Sequence, residues 1–378
     1  MEALEGATTM ERMLLAQARQ SHTPVNGSIE LLPLCNMNCD MCYVRLSREE
    51  MERQGRLRTV DEWLEIGRQM KEAGVLFLLL TGGEPFLYPD FRELYLGLRG
   101  LGMILTINTN GTLINEELAA FLGEYKPRRV NITLYGANEK TYTDLCHYPG
   151  GFERTLSGIR LLRKYGVDVK VGGSLARANR EDLDQILEIG EELDVPVRVD
   201  TYMMPAARER SLPYNMQSRM EPEDAARARV RALKREMGSE LFAQYAARTI
   251  DLAEHPESAE EKPGHMACMA GQCSFTVNWQ GEMRPCVILS SPGVSVFEVG
   301  FANAWKYIVE ETGKILLNAK CSVCHLRHLC RTCAASALLE DGSYDGVPEY
   351  MCRYAAETLR LLREEWENMN ERRNISDR

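Results

Sequence analysis

Cys35, Cys39 and Cys42 stand within eight residues of the chain, with Tyr43 directly after the last. Thiolates are soft ligands that suit zinc or iron–sulfur groups. A four-iron cluster held wholly by protein takes four cysteines, so three leave one iron open to a small molecule and to electron transfer. A zinc site short of one ligand, or a set of buried thiols, is the lesser alternative for this spacing. A second group runs Cys268-x4-Cys273-x12-Cys286, then Cys321-x2-Cys324-x5-Cys330-x2-Cys333-x18-Cys352. Eight cysteines are enough for two fully ligated four-iron clusters, and Cys-x2-Cys pairs also serve as zinc knuckles. His265, His325 and His328 lie near this group and could replace a ligand, but read better as surface or outer groups. Cys146 has no partner in sequence and reads as a small buried hydrophobe.

The elements that must position these residues alternate. Ser28–Leu32 reads as a strand running straight into Cys35. Thr59–Ala73 reads as a helix with Trp63, Ile66 and Met70 on one face and Gly74 as its stop. Val75–Leu80 is a buried strand that ends in Thr81-Gly82-Gly83-Glu84-Pro85. Further strands are expected at Met103–Asn108, Arg129–Tyr135, Val167–Leu175 and Val195–Tyr202, with helices at Asp90–Arg99, Asn115–Gly123, Phe152–Tyr165 and Glu181–Leu193. Strands alternating with helices of this length imply right-handed crossovers and a parallel sheet. Six such units fit an open (β/α)6 version of the eight-fold barrel, with its site at the C-terminal strand ends. After Pro205 the pattern changes: Glu221–Ala253 is charged and helical, and Glu254–Pro263 is a polar linker. Thr276–Trp279 and Met283–Leu289 are strand-like around Gly281, and Tyr354–Met369 closes the chain as a helix.

Composition excludes several classes. Net charge is −10, against the basic face of a nucleic-acid binder. Hydrophobic residues are 44% and charged residues 26%, an ordinary globular balance. The longest apolar run, Val75–Leu80, is far too short for a membrane span, and Met1–Arg19 has no apolar signal core. A cytoplasmic chain is expected, in which clustered cysteines mean metal or redox chemistry rather than disulfides.

With these motifs in place, the sequence resembles the radical S-adenosylmethionine (SAM) enzymes, whose signature is Cys-x3-Cys-x2-Cys with an aromatic beside the last cysteine. The resemblance implies that Cys35, Cys39 and Cys42 hold a [4Fe-4S] cluster and that Gly82, Gly83, Glu84 and Pro85 form the turn that binds the methionine of SAM. Two glycines allow close backbone approach, Glu84 and the carbonyls receive the ammonium, and Pro85 fixes the exit. Asn108, Thr109 and Asn110 occupy the next strand end and Thr133 lies on the fourth strand. In the family these strands offer polar groups to the ribose and carboxylate.

The C-terminal cysteines are similar to the SPASM domain of peptide-modifying radical enzymes, including its glycine-x4-cysteine element at Gly281–Cys286. One departure stands out: the last gap of the Cys321–Cys333 run is two residues here and three in the family. The resemblance implies two auxiliary [4Fe-4S] clusters, three in all. Cys268, Cys273, Cys286 and Cys333 hold one, and Cys321, Cys324, Cys330 and Cys352 the other. It also implies a domain order of 1–27 helical extension, 28–215 partial barrel, 216–263 helical linker, 264–353 SPASM domain and 354–378 C-terminal helix and tail.

The expected chemistry is reductive cleavage of SAM to a 5′-deoxyadenosyl radical, which takes a hydrogen atom from a ribosomally made precursor peptide. A thioether crosslink is the first choice. Carbon–carbon or carbon–oxygen crosslinking, epimerisation and decarboxylation are alternatives, and a non-catalytic zinc or electron-carrier protein is a remote one. Where sulfatase-maturing members carry an aspartate after the cysteine matching Cys286, this chain has Val287, with Pro285 before the cysteine, which disfavours formylglycine formation. A flavodoxin- or ferredoxin-type reductant is implied. Only 27 residues precede the first strand, so leader recognition is expected from a separate protein or the surface itself.

Overall fold

The structure, a computed structural model, describes residues 8–204, 218–256, 260–330 and 333–376. The expected domain boundary at 215/216 lies outside them, as do three residues of the 254–263 linker.

Six parallel strands form in the expected order: β1 Asn26–Glu30, β2 Phe77–Thr81, β3 Ile104–Thr109, β4 Arg129–Leu134, β5 Val169–Ser174 and β6 Val197–Asp200. Each pairs with its successor, so the sheet follows the chain. An N-terminal helix, α1 (Thr9–Ser21), precedes them. The crossovers begin with α2 (Arg48–Gln54) and α3 (Val60–Glu72). The helix α3 starts where Thr59 accepts the Glu62 N–H and the Glu62 carboxylate returns to the Thr59 N–H. Trp63, Ile66 and Met70 are buried on one face, as their spacing predicts. Next come α4 (Phe91–Gly100), α5 (Glu116–Glu124), α6 (Glu139–Cys146), α7 (Gly151–Lys164) and α8 (Leu183–Glu192). Helices α2 and α6 are too short to show a clear apolar period in the sequence.

Most of the C-terminal region does not form a detached domain. Strand β7 (Ser274–Val277) pairs in parallel with β1, and the antiparallel strands β8 (Glu282–Arg284) and β9 (Val294–Ser295) extend the sheet to nine strands. Ser28 and Thr276 share a buried hydroxyl hydrogen bond of 2.8 Å across the junction. Gly27 is needed there, because a Cβ would lie 2.2 Å from the Phe275 ring. A further unforeseen helix, α10 (Phe301–Gly313), caps α3: the Phe301 N–H reaches Gln69 Oε1 at 2.9 Å and Trp305 Nε1 donates to the His22 carbonyl at 2.7 Å. Phe275, Val277, Phe301 and Trp305 share one hydrophobic core with the barrel strands.

The long helix α9 (Pro222–Glu254) packs along the last helix, which follows α11 (Ala334–Asp341). That last helix, α12 (Glu349–Ser376), starts before the expected 353/354 boundary, so Cys352 sits on its first turn. Among the described residues no helix is long and apolar enough to cross a membrane.

Candidate active site

The segment leaving β1 carries the first three cysteines and is fastened along the end of β2. Gly83 N–H donates to the Leu32 carbonyl at 2.7 Å and Glu84 N–H to the Leu34 carbonyl at 2.9 Å. A Cβ on Gly82 would lie 2.5 Å from the Leu32 oxygen, and one on Gly83 would lie 2.2 Å from the Leu34 oxygen. Gly82 also has a φ of +140°. The two glycines are therefore required by the chain that delivers Cys35, whatever a ligand adds. A side chain at Gly83 would therefore meet the Leu34 backbone before it met any ligand.

Glu84 is wholly buried and its oxygens are occupied. Thr109 Oγ1 donates to both at 2.8 Å, Asn110 N–H to one at 2.9 Å and Phe86 N–H to the other at 3.1 Å. Burial pushes its carboxyl up from 4.5 to about 7. In this arrangement Glu84 ties the ends of β2 and β3 together and does not present an open carboxylate. Pro85 begins a short 3-10 turn through Leu87. Asn110 is likewise committed: its Nδ2 donates to Asn36 Oδ1 at 2.9 Å and approaches Cys35 Sγ at 3.7 Å, while its Oδ1 accepts from the Thr112 hydroxyl at 2.7 Å.

Two of the three sulfurs are met by backbone donors. Met37 N–H reaches Cys35 Sγ at 3.4 Å and Arg45 N–H reaches Cys42 Sγ at 3.3 Å. Such N–H···S contacts are the environment a metal-bound thiolate needs. Burial pushes the Cys35 thiol up to about 12 when no metal draws its proton off. Cys39 is raised as well, first by its hydrogen bond with Cys146 and then by burial. Cys146 is buried as expected, but it is not a bystander: α6 brings it against Cys39, 107 residues earlier in the chain. Tyr43 lies half-buried beside Cys42.

Below these strand ends lies a cavity of about 510 Å³ enclosed by the barrel. Asn108 and Thr133 line it, with the Asn108 amide oxygen accepting from Asn131 Nδ2 at 2.8 Å. Alternate residues of the later strands continue the lining, including Lys170, Arg198 and Asp200. Four cationic side chains (Arg128, Arg129, Lys170 and Arg198) and two carboxylates (Glu11 and Asp200) line the cavity, with Arg129 also paired to Asp168 at 3.0 Å. Arg128 pairs with Glu11 of α1 at 2.9 Å and Arg198 with Asp200 at 3.3 Å. Sequence reasoning missed this lining, although the period-two run Arg129-x-Asn131-x-Thr133 carried the signal.

Pro285, Cys286 and Val287 border the same cavity. Cys286 receives the N–H groups of Ile288 and Leu289, and burial pushes its thiol up to about 12, with Cys333 and Cys268 near enough to add to the rise. Cys273 is raised by burial, with Cys268 adding to it. Cys352 is raised by burial and then by Cys321 and Cys324. Gly281 turns the hairpin with a φ of +89°. Cys330 packs against the main core, and His265, His325 and His328 are all exposed. Among the described residues no three His, Cys, Asp or Glu side chains converge as ligands of a single ion.

Comparison with known proteins agrees with this geometry. Residues 29–190 match the radical SAM superfamily. The AdoMet-dependent heme synthase of Methanosarcina barkeri is 27% identical over 334 residues, covering 83% of this chain and 92% of that protein. The antilisterial bacteriocin subtilosin biosynthesis protein AlbA of Bacillus subtilis is 25% identical over 270 residues, covering 70% of this chain and 55% of AlbA. Streptococcus suis SuiB bound to S-adenosylmethionine superposes with a TM-score of 0.66 at 19% identity, covering 90% of this chain and 81% of SuiB. SuiB bound to its precursor peptide SuiA gives 0.65 at 18% identity, covering 91% and 80%. With the cysteine loop, the glycine turn and the six-stranded partial barrel all in place, residues 29–190 of the chain form a radical SAM domain.

Proposed function

We propose that Cys35, Cys39 and Cys42 hold a [4Fe-4S] cluster with one open iron, that SAM binds there, and that a peptide substrate occupies the barrel cavity. The observation that carries this reading is that a single cavity is lined by Asn108 and Thr133 and also by Cys286. A substrate in it touches Cys286 of the second cysteine region and the strands whose ends adjoin the first. Tyr43 and the backbone of Gly82 and Gly83, with Pro85 fixing the turn, frame the methionine end of SAM. Asn108 and Thr133 offer an amide and a hydroxyl to its ribose and carboxylate. Glu84 and Asn110 act one step back, holding the turn and the Cys35 segment in place.

The C-terminal thiols fit two auxiliary [4Fe-4S] clusters. The proximity of Cys286 to Cys268 and Cys333, and of Cys352 to Cys321 and Cys324, supports the partition into Cys268, Cys273, Cys286, Cys333 and Cys321, Cys324, Cys330, Cys352. Once bound, the three clusters and SAM supply a 5′-deoxyadenosyl radical and an acceptor for the substrate electron.

The peptide reading draws support from SuiB, solved with a precursor peptide, and from AlbA, named for bacteriocin biosynthesis. Within it, thioether formation replaces one C–H and one S–H bond by a C–S bond, a two-electron oxidation. The 5′-deoxyadenosyl radical would take one hydrogen atom, an auxiliary cluster held by the C-terminal cysteines would accept the second electron, and the thiol proton would go to solvent. The residue after Cys286 is Val287, so no carboxylate follows that cysteine in sequence to act as base. A flavodoxin- or ferredoxin-type protein would supply the first electron, and a separate leader-binding protein could deliver the peptide.

A second reading has its own support. The cationic cavity lining suits a carboxylate-bearing small molecule, and several full-length relatives are named heme synthases. Decarboxylation would then be the reaction. One experiment separates the two: the reconstituted enzyme is incubated anaerobically with SAM and reductant. Its substrate is either a short cysteine-rich peptide encoded beside its gene or an iron coproporphyrin. Loss of two hydrogens and of a free thiol from the peptide supports the thioether reading. Carbon dioxide release from the porphyrin, with the peptide unchanged, replaces it by the second.

A further inference from the structure

Two glycines follow one another on β5, and the fold asks for only one of them. The strand alternates: Val169, Val171 and Gly173 are buried on one face, while Lys170, Gly172 and Ser174 line the cavity on the other. A Cβ on Gly173 would lie 3.1 Å from Ile186 of α8 and 3.3 Å from Val199, so packing keeps that residue small. A Cβ on Gly172 would meet nothing within 4 Å, and its φ lies outside the left-handed region. Neither crowding nor backbone conformation calls for glycine at 172. A glycine inside a strand weakens it, and often marks a place where a ligand comes close to the backbone.

Gly172 stands in one row across the sheet, between Thr133 of β4 and Arg198 of β6. All three line the cavity. Two strand spacings separate Thr133 from Arg198, about 10 Å of sheet with bare backbone at its centre. The Arg198 side chain is only 10% exposed. Burying a guanidinium is costly unless an anion meets it. Asp200, two residues further along β6, offers it one oxygen: Nε and Nη2 both contact Oδ1 at 3.3 Å. A tight carboxylate pair is shorter, about 2.7–2.9 Å, and uses both oxygens. So loose a contact yields to, or shares the guanidinium with, a better-placed carboxylate.

We propose that Gly172 and Arg198 form the substrate subsite of this cavity: the reacting part of the substrate lies over the bare backbone at Gly172, beside SAM at Thr133, and a substrate carboxylate is held by the Arg198 guanidinium. This rests on the reading that SAM and substrate share the cavity. Hydrogen transfer requires the substrate carbon to touch the ribose end of SAM, and Gly172 is the next position along the row from Thr133. Bare backbone lets that carbon come close, and the planar fork of an arginine fixes a carboxylate in orientation as well as in place. In a peptide the carboxylate is an acidic side chain or the C-terminus; in a porphyrin it is a propionate.

The test uses the full-length enzyme reconstituted anaerobically, with SAM and without reductant, so that binding is read and not turnover. The probes are the cysteine-rich peptide encoded beside the gene and iron coproporphyrin, each beside a neutral counterpart. The neutral peptide has its acidic residues as amides and an amidated C-terminus, and the neutral porphyrin is the methyl ester. Whichever acidic probe the wild type binds identifies the source of the carboxylate. In Gly172→Val the urea midpoint and SAM affinity should match wild type, while affinity for that probe falls about tenfold or more, because the new side chain occupies the floor on which it lies. In Arg198→Gln affinity for the acidic probe should fall about tenfold or more, the worth of a charge-assisted contact, with the neutral counterpart bound equally by variant and wild type. Unchanged probe affinity in Gly172→Val would overturn the proposal, and so would an equal loss of acidic and neutral probes in Arg198→Gln. Should Arg198→Gln not fold, Arg198→Lys decides in its place: a loss confined to the acidic probe supports the proposal, and no loss overturns it. A Gly172→Val protein that loses SAM as much as the probe would give the row to SAM and also overturn it. Wild type that binds neither probe would overturn the cavity reading and the proposal with it, whereas probe binding that survives both substitutions overturns the proposal alone.

Discussion

The two cysteine regions are built on different terms. Cys39 belongs to the large core that fills the barrel, and the loop around it is tied to the ends of β2 and β3 and to α6 by protein–protein hydrogen bonds. Of the C-terminal cysteines, Cys286 and Cys333 border a much smaller core made of Met266, Leu289, Ile315, Leu317, Ala334 and Ala335, Cys273 and Cys330 pack elsewhere, and Cys268 and Cys352 are exposed. Fold alone shapes the first site. The second has few apolar contacts of its own, so bound metal has to supply part of the energy that orders it.

The largest effect that would break this comparison is at the first site. Replacing Cys35, Cys39 and Cys42 by alanine should reduce 5′-deoxyadenosine formation to background while circular dichroism of the barrel stays native. A protein that unfolds instead would show that the first site depends on its metal as much as the second.

Gly83→Val comes next. The added side chain would meet the Leu34 carbonyl at 2.2 Å, and backbone must move. We expect a loss of about 3 kcal/mol or more, the scale of severe overpacking, read by urea unfolding, together with poor iron loading. Native stability with weakened SAM binding alone would restore the glycine to a purely ligand-facing role.

Glu84 gives a pH signature. Its carboxyl is raised from 4.5 to about 7 in the fold, so the fold prefers the neutral acid. The stability this contributes is fully present below 4.5 and is lost as pH rises through 7. Across that window the metal-free chain should lose on the order of 3 kcal/mol from this group. Glu84→Gln should flatten the slope, at a cost from setting an amide N–H2 against backbone donors. An equal slope in both proteins would assign the pH dependence elsewhere.

The smallest effect on radical formation sharpens the contrast. Cys352→Ala should remove about four irons and speed amide exchange across residues 319–352. Exchange in residues 26–134 and SAM cleavage should stay near wild type, while product formation stops. Faster exchange at both ends would mean that the two sites are not energetically separable.

Much of the first site was legible because it is local. Cysteines, glycine turn and strand ends follow one another along the chain, and each carries its own turn chemistry. What stayed hidden needed long-range partners. Cys146 has nothing beside it in sequence to mark it, and only the short helix α6, which the apolar period does not reveal, brings it to Cys39. The roles of Gly83, Glu84 and Asn110 were read as facing a ligand, whereas their close neighbours are Leu34, Thr109 and Asn36. The C-terminal hairpin was read correctly as strands around Gly281, but a strand does not announce which edge it will join. Here Asn26 and Ser274 pair across 248 residues.

That junction has a consequence for how the chain is made. Until β7 arrives, β1 presents a bare edge of unsatisfied backbone groups, the kind of edge that recruits foreign strands. From the end of β6 to the end of β7 about 75 further residues must be synthesised, which at about 5–20 residues per second takes roughly 4–15 s. During that interval the nascent barrel is complete in every strand of its own and still open on one side, so the ribosome-bound stage, rather than the finished protein, is where this fold is most exposed to aggregation.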